Sequence, residues 1–262
     1  MIGELSRLTY AELIKVRLSP SLWILLLVTM LISVGLTGLI AGFGGAESLG
    51  DVQSGETGSR YEILFFGATL GVWAFAFFGA SFSAGEFVSG AIGYTFTATP
   101  RRTRVLVAKL VIVLGIGSIA GLLVSLINFA ITQGVLTLNE YPTLSLNEPE
   151  LLRAVLVFIP AQMAVWGALS LLLGFLIRRT APTVIVLLLG SFLPVVTAQF
   201  LPTAWGETVP RWMPGAAIES LAGLSSPGSP GFLPASAATV AVIGWLLLFG
   251  MIGGLSVKYR DV

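Results

Sequence analysis

The chain has 262 residues, of which 55% are hydrophobic and 10% charged, with 14 basic and 13 acidic side chains, no cysteine and no histidine. A charged fraction so far below the roughly 25% of soluble domains, with a mean hydropathy of +0.94, excludes an ordinary globular domain and describes an integral membrane protein. Without cysteine there are no disulfides, and without histidine there is no Ser-His dyad, no HExxH zinc site and no His-ligated haem.

The first 21 residues, MIGELSRLTYAELIKVRLSPS, interleave acids with bases and hold no apolar core, so they do not read as a signal peptide. They have the composition of a surface helix whose apolar face is interrupted at Thr9 and Glu12 and which Pro20 ends. Two readings stay open: a solvated basic leader that enforces orientation, or an interfacial helix along the inner leaflet. Six apolar segments then follow, at 22–43, 63–83, 105–131, 152–177, 181–201 and 234–257, each near the length of about 20 residues that crosses the hydrocarbon. Arg7, Lys15, Arg17, Arg101, Arg102, Arg104, Lys109, Arg178, Arg179, Lys258 and Arg260 fall on one side, against Arg60, Arg153 and Arg211 on the other. The bias places both termini and the second-to-third-span connection in the cytoplasm. Outside lie a polar, acidic segment, Gly44 to Glu62, and the proline-rich Pro202 to Leu233, whose GAAIESLAGL run reads as a short helix on, or dipping into, the outer face. The fold expected is all-α: one membrane domain over residues 1–262, with no internal repeat.

The spans carry little chemistry. Asp51 and Asp261 lie outside them, every acid falls in a loop, flank or external segment, and no GxxxxGK[ST] phosphate loop occurs. Active transport would therefore need energy from another polypeptide. Asn128, Gln133, Gln162 and Gln199 read as interhelical hydrogen-bonding groups, and Gly38/Gly42, Gly67/Gly71, Gly117/Gly121 and Gly250/Gly254 as sites of close helix approach. Pro160 and Pro194 are expected to bend their helices.

The unusual stretch is GEFVSGAIGYTFTATPRRTR, residues 85 to 104. Its residues predict a short helix near Glu86 to Ile92, bounded by glycine and carrying an apolar patch beside one acid. Arg101, Arg102 and Arg104 then mark re-entry, where basic residues orient a helix and bind anionic lipid. Extended to GEFVSGAIGYTFTATPRRTRVLVAKL, the segment resembles the cytoplasmic region of type 2 ABC exporter permeases. So do YAELIKVRLSPSLWILLLV, with Glu12 and Lys15 in E-x-x-K spacing, VPRWMPGAAIESLAGL and the closing YRDV. The resemblance implies a coupling helix around Glu86, Phe87, Ser89, Gly90 and Tyr94 that docks on a separate ATP-binding subunit. It implies two permeases with two ATPase subunits, a path lined by the second and fifth spans, ATP and magnesium held by the partner, and no catalytic or metal site on this chain. It gives the chain an exporter's cargo (drug, antibiotic, lipid, polysaccharide or peptide), a place in the bacterial cell membrane and no nucleic-acid partner. A self-contained carrier or channel, and a non-transport assembly or sensor subunit, are the alternatives.

Overall fold

The computed structural model describes residues 2–43, 62–99, 102–140, 143–198, 200, 202–229 and 231–259. Residues 44–61, which the sequence reading places outside the cell, and Arg101, Gln199, Arg260 and Asp261 lie outside the described residues. Among those described there are helices and connections but no strand.

In chain order the helices are α1 (Ile2–Leu18), α2 (Pro20–Phe43), α3 (Glu62–Val88), α4 (Ala91–Ala98), α5 (Arg102–Leu138), α6 (Pro149–Arg153), α7 (Ile159–Ile177), α8 (Thr180–Ala198), α9 (Thr203–Arg211), α10 (Pro214–Leu221) and α11 (Ala235–Tyr259). A π-helical turn, Ala154–Phe158, joins α6 to α7 without a break. Five described helical stretches are long and apolar enough to cross a membrane: Pro20–Phe43, Phe66–Val88, Arg102–Leu138, Pro149–Ile177 and Ala235–Tyr259. The remaining expected span, the fifth (181–201), is α8, 19 residues with Pro194 inside it, whose apolar stretch, Thr180–Pro194, falls below that length. Pro20 does not merely end α1. It is the first residue of α2, where its fixed φ suits a helix start and its missing N–H costs nothing.

α3 and α7 form the centre, packed against each other and flanked by α2, α5, α8 and α11. Small residues set these contacts. A side chain at Gly117 would stand 2.7 Å from Ala164 Cα, and one at Gly121 2.6 Å from Pro160 Cα, so α5 lies almost backbone to backbone on α7. Gly67 and Gly71 face Ser33 and Thr37 of α2, and Gly79 faces the Gly167 carbonyl. Gly38, Gly42, Gly250 and Gly254, by contrast, face open space.

Some buried polar groups are paired across helices, which offsets the cost of burying them in an apolar bundle. Asn128 Nδ2 donates to Ser33 Oγ at 3.1 Å, and Ser170 Oγ donates to the Ala76 carbonyl at 2.6 Å. Pro160, where a bend is expected, lies just past the π turn. Within it the Ile159 N–H reaches back to the Ala154 carbonyl, so the Val155 carbonyl is left facing position 160, where proline has no N–H to give. Ser125 Oγ of α5 donates to it instead at 2.8 Å.

α9 and α10 form the segment before the last helix. α10 is not loosely attached: Ala217 and Ile218 are buried, Ser220 Oγ donates to the Gly231 carbonyl and accepts from the Leu233 N–H, and Trp245 Nε1 of α11 donates to the Trp212 carbonyl at 2.8 Å.

Candidate functional site

One end of the bundle gathers the C-terminal ends of α1, α3, α7 and α11 and the N-terminal end of α5, and with them most of the described charge. The geometry begins with the break after α3. Gly90 sits at φ 73, in the left-handed region that glycine enters without strain, and caps α3. The Ser89 N–H donates to the Gly85 carbonyl and the Gly90 N–H to that of Phe87. α4 then starts in a new direction. The short helix is therefore Ala91–Ala98, while Glu86, Phe87 and Val88 belong to the last turn of α3. The sequence placed the helix near Glu86 to Ile92; the glycine expected to bound it is the joint before it.

Glu86 points into the protein. Its Oε1 accepts from Lys109 Nζ of α5 at 2.9 Å and from Lys15 Nζ of α1 at 3.0 Å. Lys15 also pairs with Glu12 at 2.6 Å, and Glu12 Oε2 lies 2.7 Å from the Lys109 ammonium, off the axis of a hydrogen bond. Lys109 is fully buried; it donates further to the Phe82 carbonyl at 3.0 Å and lies 3.8 Å from the centre of the Phe82 ring. Two acids and two lysines from three helices thus form one neutral, mostly closed cluster. Burial of Lys15 works against its charge, but its hydrogen bond to Glu12 and the nearby Glu86 carboxylate outweigh that and hold its pKa above the ordinary 10.5.

Phe87 is half-buried, edge-on to Phe175 with ring centres 6.0 Å apart, and the Arg178 guanidinium lies 4.8 Å from its centre. Arg178 caps α7 in the left-handed region at φ 62, which turns the chain sharply into α8. Around this contact opens a groove of about 740 Å³ lined by Phe87, Val88, Arg178, Arg179, Thr180, Ala181 and Pro182. Val88 is 72% exposed, Tyr94 82% exposed, and Ser89 and Gly90 are exposed between them.

The arginines after α4 hold protein partners. Arg102 donates to the Val257 carbonyl of α11 at 3.2 Å and stacks on Phe96 of α4, while Arg104 pairs with Glu4 of α1. They tie α4, α5, α11 and α1 together at this end.

Sequence reasoning did not single out Glu12 and Lys109 as a pair. The signals were present: an acid in the apolar face of the leader, and a lone lysine several residues into an apolar span. Their meeting depends on α1 folding back along α5, which no local pattern states. Neither a protein-family model nor a curated protein matches the chain.

Proposed function

We propose that the chain is the membrane-spanning permease subunit of an ATP-driven exporter of hydrophobic or amphipathic cargo, energised by a separate ATP-binding subunit. In this reading α8 completes a six-span bundle, the charged end faces the cytoplasm, and the chain works as a permease dimer with two ATPase subunits in the cell membrane. The observation that carries it is the elbow between α3 and α4: Val88, Ser89, Gly90 and Tyr94 present an exposed apolar and hydroxyl surface beside the Phe87–Arg178 groove. Force applied there would pass into α3, the most centrally packed helix together with α7, and through Glu86 into α1 and α5. A soluble motor needs such a rigid contact to reach the spans. The five membrane-length helices, the exposed apolar side chains along α2, α8 and α11 and the absence of a phosphate loop in the sequence support a membrane subunit without its own motor. Glu86 then acts as a positioning residue behind the contact, and Val88 and Tyr94 carry the contact itself.

A self-contained carrier is less well supported, because the buried ionisable cluster lies at one end of the bundle and offers no titrating route along it. The test is purification of the tagged chain from its native host. An ATP-hydrolysing partner should come with it and be lost from Tyr94→Ala and Val88→Asp variants that remain folded. Recovery of the chain alone under mild detergent, with a transport activity that ignores ATP, would overturn the reading.

A further inference from the structure

A second groove lies outside the coupling surface. It holds about 610 Å³ and runs between α1, α2 and α5, lined by Leu13, Val16, Arg17, Trp23, Leu26, Leu27, Met30, Ile116, Ile119, Ala120 and Leu123. Every lining side chain but one is apolar. The exception, Arg17, closes the end of α1; it is exposed, and its guanidinium makes no hydrogen bond or ion pair among the described residues. Trp23 is held at the mouth, its indole N–H donating to the Arg17 carbonyl at 3.2 Å. From Trp23 to Met30 the trough follows α2 for seven residues, about 10 Å of helix rise. An unpaired cation and an indole at one end, opening onto an apolar trough of that length, match a phospholipid: phosphate at the rim, acyl chain along the helices. A second copy of the chain would have to place an acid against Arg17, and this wall of the groove offers no acid for a symmetric pairing.

We propose that this groove binds an anionic phospholipid of the leaflet on the charged side, with the headgroup on Arg17 and one acyl chain between α2 and α5. The lipid would brace α1 against α2 and α5 about two turns or more along α5 from Lys109. The inference rests on the chain spanning a membrane, and not on any ATPase partner.

The test uses the full chain in nanodiscs containing phosphatidylglycerol with a diazirine in its acyl chain, photolysed and mapped by peptide mass spectrometry. Crosslinks should concentrate on 26–30 and 116–123, fall about fivefold in Arg17→Gln, and be competed by unlabelled phosphatidylglycerol but not by phosphatidylcholine. Arg17→Lys, which keeps the charge, should retain most of the labelling. Labelling spread evenly over α2, α8 and α11, equal competition by both lipids, or no change in Arg17→Gln would overturn the proposal. So would protein–protein crosslinks between two copies through a photoreactive residue placed at Ile119. These outcomes leave ATPase co-purification untouched, so the two readings fail separately.

Discussion

An ammonium group inside an apolar bundle persists only where carboxylates and carbonyls replace its water, and Lys109 has Glu86, Glu12, the Phe82 carbonyl and the Phe82 ring. Removing one side of such a pair leaves a buried charge, which costs more than the pair itself contributes. Lys109→Met should therefore lower unfolding free energy by about 3–5 kcal/mol, read as a fall in the thermal midpoint in detergent, and Glu12→Gln by a similar amount. Replacing Glu12, Glu86, Lys15 and Lys109 together with apolar residues should restore most of that loss. For the same reason, lost activity in Glu86→Ala would report a disturbed cluster and not a lost partner contact alone. Glu12 shows why the site was only half legible. As sequence it is a flaw in an amphipathic face; as structure it is the reason the face docks. A second acid gives a pH prediction. Burial raises the pKa of Glu219 above its ordinary 4.5, and a hydrogen bond from Ser225 offsets part of this. A raised carboxyl contributes stability that is full below its unfolded value and is lost as pH climbs through the folded one. Relative to Glu219→Gln, the thermal midpoint of the intact chain should therefore rise as pH falls towards the ordinary carboxylate range; a difference that does not change with pH would remove Glu219 as its source.

Among the elements, the helices were the most legible part, because apolar length alone sets them. Their ends were less so. α5 reaches Leu138, seven residues past its expected end at 131, and at 37 residues spans about 55 Å, well beyond the hydrocarbon. Its excess at the far end carries Gln133, whose side-chain carbonyl accepts from the Leu144 N–H. Amphipathic or polar turns at a helix end do not register as apolar span, so the sequence stopped short of them. Nor could it tell which glycines pack. Gly79→Ala should destabilise the protein by about 1–3 kcal/mol, since a methyl there meets the Gly167 carbonyl and backbone cannot yield. Gly250→Ala, in open space, should be neutral or stabilising by up to about 1 kcal/mol. Equal effects from the two, measured by unfolding midpoints, would contradict the packing described. Ser125→Ala should cost about 1–3 kcal/mol by leaving the Val155 carbonyl of the π turn without a donor.

At the scale of the molecule, exposed aromatics mark the two ends of the bundle: Trp23, Tyr10 and Tyr259 near the charged end, Trp205 and Trp212 at the other. Indole and phenol rings favour the headgroup region, so the rings frame the apolar belt between them. The chain has no cysteine, so single cysteines report topology cleanly. One at Ser145 or Ser226 should react with an impermeant thiol reagent in intact cells, and one at Ser89 only after permeabilisation; the reverse would invert the bundle. The central claim is that the α3–α4 elbow receives work from a separate ATPase. The most direct measurement is cargo-stimulated ATP hydrolysis by the complex purified from its native host and reconstituted in liposomes, comparing the intact chain with Tyr94→Ala. The account predicts hydrolysis that requires the partner, and loss of both partner and stimulation in Tyr94→Ala at an unchanged thermal midpoint. A complex that hydrolyses ATP and moves cargo equally well with alanine at position 94, or a chain that transports with no ATPase present, would contradict it.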